Sequence, residues 1–314
     1  MNLARLRAAL RFDSGGWRRF AELGCVWGPE WWKRGSPPAI AAIVFAIARQ
    51  QRRTVLRNQR HVRGRRPWLV ERRDAYRVFA EFARSVTESM EQWGPRPRPL
   101  SLDVPDPAPL HAALADGRGV VIPTGHFGGW EVGARFLVEL GRPVTLVVAH
   151  EPNPTVRRFM HQLRTRHGIR LIYSGASVFA ALPVLEALRR HEVVGMQIDP
   201  WGGAQGSHAL DFCGAPARFQ LGPFAIARVA RAPVVPVFAV RLGIRRYELR
   251  TVGRFDPATP ADAVAALTAT VRAYERLVRE RPEQWLMFDD VWREAAAPAA
   301  PYEMVPQASG LRRR

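Results

Sequence analysis

The sequence predicts an α/β protein with a mixed, mostly parallel sheet flanked by helices, preceded by an N-terminal helical, membrane-associating section. Two patterns predict this class. From about residue 110, short β-branched apolar runs alternate with stretches of helical periodicity, which is the order of βα units. Before that point, apolar residues recur at helical spacing, as at Tyr76, Phe79 and Ala83.

The chain divides into four predicted sections. Residues 1–95 form the helical section, and the prolines of residues 96–109 form a connector that ends it. Residues 110–294 form the α/β core. The tail, residues 295–314, is rich in alanine and proline, and we expect it to be disordered.

Strands and helices alternate along the predicted core. Apolar, β-branched runs predict strands at 119–123, 144–149, 169–173, 193–198, 234–240 and 247–252. Amphipathic periodicity predicts helices at 130–140, 154–167, 177–190, 221–230 and 261–281. Because each helix lies between strands or follows them, we expect helices on both faces of the sheet.

The composition is strongly basic. The chain has 47 Lys and Arg residues against 28 Asp and Glu, a formal net charge of +19, and Lys33 is its single lysine. Such a surface attracts polyanions, namely anionic lipid headgroups, acidic carrier proteins or nucleic acid. The arginines are spread along the chain without a nucleic-acid-reading motif, so we expect no nucleic-acid partner. A basic nucleic-acid-binding protein remains the alternative from a different class.

One apolar run is a candidate membrane contact. Residues 39–48 (AIAAIVFAIA) are the longest apolar run, whereas about twenty residues are needed to cross a bilayer. Tryptophans precede the run and arginines follow it: Trp27, Trp31, Trp32, Arg49, Arg52, Arg53 and Arg57. These flanks favour a segment that lies on an anionic membrane surface. An ordinary core helix would explain the run equally well.

The compartment is indicated by two observations. Cys25 and Cys213 give neither a disulfide framework nor a metal-ligand spacing. The first twenty residues contain arginines throughout and lack the continuous apolar core of a secretory signal. We therefore expect a reducing compartment and a peripheral protein on the cytoplasmic face of a membrane.

The stretch 120–131 (VVIPTGHFGGWE) is the most informative part of the chain. A buried-strand pattern ends in Thr-Gly and delivers His126 into a glycine-rich turn before a helix, where α/β sheets carry their sites. Near neutral pH a histidine in this position is a candidate general base. Glu131, at the helix start, could orient or charge-stabilise the imidazole. Alternatively, His126 only caps the turn.

Further residues are candidates for binding substrate. The backbone N–H groups of Gly128, Gly129 and Trp130 could face a developing oxyanion at the helix start. Asp199 ends another strand and would lie on the same edge of the sheet as His126, unless it only caps a turn. Arg218 is a candidate anion ligand or a solvated surface arginine.

Several classes of site are excluded by motif. The sequence contains no phosphate-binding GxxxxGK[ST] loop, no GxGxxG after the first strand and no GxSxG nucleophile elbow. His, Cys and carboxylate residues do not cluster at zinc spacings. We therefore expect no metal and no bound cofactor.

Five segments in order resemble the lysophospholipid acyltransferase superfamily. They are GRGVVIPTGHFGGWEVG with its H-x4-E, PNPTVRRFMHQLRTRHGIRLI, VVGMQIDPWGGAQG, LDFCGAPARFQLGPFAIARVARAPVVPVF and RPEQWLMFDDVW. The most similar branch holds the bacterial lipid A late acyltransferases (lauroyl and myristoyl transferases) and the phosphatidylinositol mannoside acyltransferases. The resemblance runs from about Arg53 to Trp292, most of the chain.

The resemblance implies an enzyme that transfers an acyl chain from a thioester of acyl carrier protein or coenzyme A to a hydroxyl of a membrane glycolipid or phospholipid. In that family His126 would be the general base and Glu131 its motif partner. The acceptor and donor phosphates, and the lining of the site, would involve Glu151, Arg164, Arg166, Asp199 and Arg218. The setting would be the cell inner membrane.

The chain also departs from the family pattern. The usual aspartate–glutamine pair is Asp199-Pro200 here, and a typical Phe-Phe-Gly is Phe212-Cys213-Gly214. Where the lipid A enzymes tend to carry an arginine, this chain has His150-Glu151, and the mannoside branch carries a glutamate there. These differences leave the acceptor open more than the reaction. A degenerate relative that binds lipid without catalysis is the remaining alternative.

Overall fold

The computed structural model describes residues 24–95, 97–149, 154–174, 181–199 and 206–292. Some predicted features lie outside these ranges. They are residues 1–23 of the helical section, Glu151, the first residues of the predicted helix 177–190 and the tail of residues 295–314.

The helices predicted at 130–140, 154–167, 221–230 and 261–281 lie close to their predicted bounds, whereas the helix at Ala108–Ala115 was not predicted. In chain order the helices are α1 (Glu30–Ile47), α2 (Arg49–Arg63), α3 (Trp68–Trp93), α4 (Ala108–Ala115), α5 (Trp130–Val138), α6 (Pro154–Thr165), α7 (Leu182–Arg189), α8 (Gly222–Ala230) and α9 (Pro260–Glu280). A 3₁₀ turn follows α9 at Pro282–Gln284. Helix α9 begins with a capping box, in which Thr259 and Asp262 each accept a hydrogen bond from the other's backbone N–H.

The strands form two sheets and a hairpin. They are β1 (Ser101–Asp103), β2 (Val120–Thr124), β3 (Val144–Ala149), β4 (Arg170–Ser174), β5 (Val193–Gln197), β6 (Ser207–Phe212), β7 (Ala215–Gln220), β8 (Val237–Gly243) and β9 (Arg246–Thr251). The larger sheet has the order β2-β5-β3-β4 and is parallel, with α5, α6 and α7 as crossovers. The mixed α/β architecture with flanking helices is confirmed.

The register of β2 and β5 decides which residues meet at the carboxyl edge of the parallel sheet. Thr124, the last residue of β2, lies opposite Gln197, the last residue of β5. The backbone N–H of Ile198 donates to the Thr124 carbonyl at 2.9 Å and extends the pairing by one step. His126 and Asp199 each follow two residues after these strand ends, so the register brings the two side chains together.

The second sheet has the order β1-β9-β8 and supplies the antiparallel pairing, between β8 and β9. A single bridge, Val121 to Val234, links it to the parallel sheet. The predicted strand 234–240 begins only at β8, since Pro233 and Pro236 have no N–H to donate to a neighbouring strand. Strand β1, which was not among the predicted strands, lies within the proline-rich connector of residues 96–109.

The hairpin of β6 and β7 is absent from the sequence prediction. Phe212 pairs with Ala215, so its loop consists of Cys213 and Gly214 alone. Both loop residues have positive φ, 54° and 84°, as a type I′ turn requires. The Cys-Gly dipeptide lacks the Asn-Gly or Asp-Gly signature that marks this turn in most sequences.

The N-terminal helices pack onto the core through an apolar cluster. Phe45 of α1 makes edge-to-face contacts with Tyr76 and Phe79 of α3. Leu286 and Phe288, from the segment after α9, complete the cluster. In the described part of the chain, no helix combines the length and apolar content that a membrane crossing requires.

Buried charges join α3 to β8 and β9. Arg241, 8% exposed, forms ion pairs with Glu88 and Glu81. The hydroxyl of Tyr247 donates to the second oxygen of Glu88 at 2.6 Å. We call Arg241, Glu88, Glu81 and Tyr247 the interface cluster.

Candidate active site

The turn between β2 and α5 carries His126 and is held from two sides. Gly128 donates its N–H to the Gln284 carbonyl at 2.9 Å, and Leu286 donates to the His126 carbonyl at 2.8 Å. On the other side, the Ser85 hydroxyl donates to the Gly128 carbonyl at 2.8 Å. The segment after α9 therefore clamps the turn, which explains why the RPEQWLMFDDVW motif accompanies the GHFGGW motif.

The two glycines of the turn serve packing. Gly128 has a φ of +52°, and a Cβ there would overlap the Ala239 carbonyl oxygen. A Cβ on Gly129 would overlap the ring of Tyr247. The Gly129 N–H donates to the Ala239 carbonyl at 2.9 Å. The structure does not support the prediction that Gly128 and Gly129 donate N–H groups to an oxyanion, because both groups already bind backbone carbonyls. For Trp130, at the start of α5, it stays a prediction.

His126 and Asp199 form a hydrogen-bonded pair. The Nδ1 of His126 lies 3.0 Å from Oδ2 of Asp199, and the His126 backbone N–H donates to the same oxygen at 2.6 Å. The hydroxyl of Tyr274 donates to Oδ1 at 2.8 Å. Asp199 is buried with three donors around it, so its carboxylate fixes the imidazole with Nδ1–H toward itself and Nε2 away from it.

The surroundings of His126 shift its titration. Burial acts to lower the pKa of the imidazole, whereas the hydrogen bond and negative charge of Asp199, with the charges of Glu131 and Asp289, raise it. The net direction is a pKa above the ordinary value of 6.5. Burial, followed by the charge of Asp199, raises the pKa of Tyr274 well above 10.0, so its hydroxyl stays a donor.

The other ring nitrogen of His126 meets Gln197. The Nε2 of the imidazole lies 3.0 Å from Nε2 of the Gln197 carboxamide. Because Nδ1 carries the proton that Asp199 accepts, the imidazole Nε2 is an acceptor and the carboxamide N–H donates to it. Gln197 is absent from the residues that the sequence selected, although it ends β5 two positions before Asp199.

Glu131 has a different partner from the one the sequence suggests. Its carboxylate forms an ion pair with Arg164 of α6, and the two side chains are 8% and 14% exposed. Burial acts to lower the pKa of Arg164, but the charge of Glu131 raises it, so the guanidinium stays charged. The group that orients His126 is Asp199, while Glu131 acts on the imidazole only through its charge.

The remaining predicted site residues that the structure describes do not lie beside His126. Arg166 is exposed just beyond α6. Arg218 lies on β7 opposite Ala209, and its Nε is buried without a hydrogen-bond partner among the described residues. Neither lines the cavity described next, and Glu151 lies outside the described residues.

An apolar cavity of about 420 Å³ lies beside His126. Its polar lining includes His126, Gln197, Glu131 and Arg164. Its apolar walls come from α3, α4, α5 and both sheets, and they include Val86, Leu110, Ala134, Ile122, Leu146, Val237 and Leu249. A cavity of this size and character, with a few convergent polar groups on its wall, is typical of a site for a largely apolar small molecule.

Aromatic side chains adjoin the polar wall of the cavity. The ring of Trp130 lies 5.3 Å from that of His126, measured between centroids, and stacks on Phe82 at 6.3 Å. Phe82 contacts Phe288 edge-to-face at 5.1 Å and is 37% exposed. The aromatic side chains of Phe288, Phe82 and Trp130 therefore form an apolar surface that leads from the solvent to His126. In the described ranges, no group of three or more His, Cys, Asp or Glu residues is arranged to hold a metal ion.

Sequence reasoning missed two residues of this site, Tyr274 and Gln197, for different reasons. Tyr274 lies 75 residues after Asp199 on the last helix, and no local pattern connects the two. Gln197 was accessible in principle, because the pairing of Thr124 with Gln197 follows from placing β2 beside β5.

Comparison with known proteins agrees with this geometry. A model of the bacterial lipid A biosynthesis acyltransferases matches residues 25–294, which contain every element of the fold and both members of the His126–Asp199 pair. The chain belongs to the bacterial lipid A biosynthesis acyltransferase family. The resemblance seen in the sequence motifs is thereby confirmed.

Curated relatives bear on the branch within this family. The chain is 26% identical over 185 residues to the phosphatidylinositol mannoside acyltransferase of Mycobacterium tuberculosis, in strain CDC 1551 / Oshkosh and in strain ATCC 25618 / H37Rv. The match covers 58% of this chain and 57% of each relative. The chain therefore matches the relatives over little more than half of their length.

Proposed function

We propose that this chain transfers a fatty acyl chain from a thioester, of acyl carrier protein or coenzyme A, to a hydroxyl of a membrane glycolipid or phospholipid. The observation that carries the proposal is the His126–Asp199 pair, held on the wall of an apolar cavity at the carboxyl edge of the sheet. The family description and the names of the relatives support acyl transfer to a lipid.

His126 acts as the general base in this proposal. Its Nε2 takes the proton of the acceptor hydroxyl while the hydroxyl oxygen attacks the thioester carbonyl carbon, and a C–O bond forms. Asp199 stays ionised and stabilises the imidazolium. When the intermediate collapses, the C–S bond breaks and the proton passes from Nε2 to the leaving sulfur. The products are an ester and a thiol.

Transfer is direct, without an acyl-enzyme. The side chains that contact the His126 ring nitrogens are Asp199 and Gln197, and neither is a thiol or hydroxyl that would form such an intermediate. Cys213 lies in the turn of the β6–β7 hairpin, where burial raises its pKa to about 12, which disfavours the reactive thiolate. The thioester donor is a substrate, and the proposal requires no further cofactor.

The cavity holds the acyl chain of the donor. Its volume of about 420 Å³ and its largely apolar lining suit a flexible hydrocarbon chain. Its walls are apolar core residues, so each buried methylene contributes about 0.8 kcal/mol of transfer free energy. The phosphates of donor or acceptor would meet arginines, for which Arg166 and Arg218 remain candidates, and Glu151 remains a candidate polar group at the acceptor site.

The protein lies at the cytoplasmic face of the cell inner membrane as a peripheral protein. Helix α1 supports this, since its solvent-facing side is apolar and includes Ile40, Ile43 and Ile47, with Ile43 57% exposed. Trp31, in the first turn of α1, and Trp68, the first residue of α3, are 72% and 67% exposed. The charge of +19 adds an attraction to anionic headgroups.

The central experiment is the His126→Ala substitution. Purified protein is incubated with radiolabelled palmitoyl thioesters of coenzyme A and of acyl carrier protein, together with lipids extracted from the organism that encodes the chain. We expect label in an ester-linked lipid with the wild type and a loss of about 10²–10⁴-fold in the variant. The melting temperature should change little. Activity of the variant within a few-fold of the wild type would remove His126 from the base role.

The acceptor is identified by lipid mass spectrometry of a deletion strain beside its parent. We expect a membrane lipid that is lighter by one acyl chain in the deletion strain, whose mass difference gives the acyl length as well. No lipid change under conditions where the protein is expressed would contradict membrane-lipid acylation. A nucleic-acid-binding protein or a non-catalytic lipid-binding relative would give that negative result together with an inactive wild type.

Membrane association is tested with liposomes. Binding to vesicles that contain anionic phospholipid should weaken as salt rises, with a remainder from apolar insertion. The Ile43→Glu variant should lose that remainder, whereas Ala266→Ser, a small change in buried α9, serves as a control for folding. Equal binding of the wild type to neutral and anionic vesicles at all salt concentrations would exclude the charge contribution.

A further inference from the structure

The proposed reaction needs a hydrogen-bond donor for the oxyanion, and the turn does not provide it from its glycines. The N–H groups of Gly128 and Gly129 already donate to the carbonyls of Gln284 and Ala239. An oxyanion in a largely apolar cavity is costly without such a donor, because water is scarce and the local dielectric is low. A donor other than the two glycines is therefore required next to the reacting carbonyl.

Gln197 is the polar side chain nearest the reacting nitrogen of His126. Its carboxamide nitrogen lies 3.0 Å from Nε2 of His126, and both residues line the cavity. Its place is fixed by the sheet, since Gln197 is the last residue of β5 and pairs with Thr124 of β2. A side chain on a strand end next to the general base is more precisely positioned than one on a loop.

The contact between Gln197 and His126 must change during turnover. Nε2 of the neutral imidazole has a single lone pair and accepts one hydrogen bond well. An acceptor hydroxyl that donates to this lone pair displaces the carboxamide N–H of Gln197. The displaced N–H remains close to the carbonyl of the thioester, because the carbonyl carbon bonds to the same hydroxyl oxygen that has taken its place at Nε2.

We infer that Gln197 is a catalytic residue whose carboxamide N–H donates to the thioester oxyanion. The inference rests on the proposed acyl transfer. As the acceptor oxygen bonds to the carbonyl carbon and its proton moves to Nε2 of His126, the π electrons of the carbonyl move onto oxygen. The Gln197 N–H then donates to that oxygen. Collapse restores the C=O bond, breaks the C–S bond and delivers the proton on Nε2 to sulfur, so Gln197 is unchanged at the end.

Substitutions of Gln197 test this role through kcat. Gln197→Leu keeps the bulk and removes the N–H, and Gln197→Glu keeps the shape and removes the donor at neutral pH. With the radiolabelled palmitoyl thioester and excess lipid extract, we expect kcat to fall about 10²–10³-fold in both. The KM for the thioester should stay within about threefold, since the interaction forms only in the transition state. Gln162→Leu, the same change at an exposed position of α6, should leave both constants unaltered.

The outcomes separate this inference from the proposed function. An inactive wild type would refute both. If the wild type is active and the kcat of Gln197→Leu is within threefold of the wild-type kcat or higher, the inference alone is refuted. A higher kcat would mean that Gln197 only occupies the lone pair of His126. A loss confined to KM would also contradict the oxyanion role. Melting temperatures of the variants within a few degrees of the wild type would exclude misfolding as the cause.

Discussion

Two of the buried clusters of polar and charged side chains differ in how they relate to the cavity. The interface cluster of Arg241, Glu88, Glu81 and Tyr247 joins α3 to the second sheet, and none of its members lines the cavity. The site cluster, defined as His126, Asp199, Tyr274, Glu131 and Arg164, has two members buried behind the cavity wall and three on it.

The site cluster differs from the interface cluster because one of its nitrogens, Nε2 of His126, faces the apolar cavity. In the interface cluster, Arg241 donates through Nε and both terminal nitrogens to carboxylates, so its bonding capacity is directed inward. In the site cluster, Nδ1 of His126 is directed inward, and Nε2 meets only the exchangeable carboxamide of Gln197. A buried charge cluster therefore indicates function when one of its reactive atoms faces a space that a substrate can enter.

The largest expected effect concerns the site cluster. Asp199→Asn should lower kcat about 10⁴-fold, because an asparagine no longer fixes the Nδ1–H tautomer or stabilises the imidazolium. The unfolding free energy should fall far less than for loss of a buried ion pair, since asparagine is nearly isosteric with aspartate and, beside neutral His126, leaves no buried charge unpaired. Acyl transfer and chemical denaturation are measured on the same preparation. Asp256→Asn, at an exposed ion pair, is the control, and comparable kcat in the two variants would contradict the account.

The second effect is on stability and concerns the interface cluster. Glu88→Ala leaves buried Arg241 with Glu81 as its remaining carboxylate and should reduce the free energy of unfolding by about 3 kcal/mol. Activity per folded molecule should remain within threefold of the wild type. Glu186→Ala, at an ion pair where Glu186 is 64% exposed, should cost about 0.5 kcal/mol or less. Equal losses of stability in the two variants would contradict the structural role of the cluster.

The smallest expected effect concerns Tyr274, the member of the site cluster that contacts Asp199 from behind the cavity wall. Tyr274→Phe removes one of the three donors to Asp199 and leaves Oδ1 without that hydrogen bond. We expect the free energy that positions Asp199 to fall by about 1.5 kcal/mol, which corresponds to a loss of about tenfold in kcat. Tyr76→Phe also removes a hydroxyl that donates to a backbone carbonyl, that of Pro38, and should not change kcat. Identical kcat values for the two variants would show that Tyr274 does not position Asp199.

The fold was predictable where the structure depends on local periodicity. The α/β class and the positions of α5, α6, α8 and α9 follow from patterns of apolar residues a few positions apart. The β6–β7 hairpin was missed because its turn uses Cys213-Gly214, which lacks the usual Asn-Gly or Asp-Gly signature. The start of β8 was predicted too early because the apolar run includes Pro236, which cannot donate to a strand.

The sequence predicted several individual residues of the candidate site, but it did not predict which of them contact one another. His126 and Asp199 were selected because each follows a strand end, and their contact follows from the register of β2 and β5. The ion pair of Glu131 with Arg164 depends on how α6 packs beside α5, which no local pattern specifies. The backbone bonds of Gly128 and Gly129 depend on β8 and on the segment after α9, both more than a hundred residues away in sequence.

The most direct test of the central claim, that His126 is a general base tuned by Asp199, is the pH dependence of kcat/KM. The base must be neutral to accept a proton, so the rate should rise with pH and level off above an apparent pKa higher than 6.5. In Asp199→Asn the loss of the negative charge should move this limb to lower pH, at a much lower plateau. A wild-type rate that does not change between about pH 5 and pH 9, or a limb that stays in place in the variant, would contradict the account.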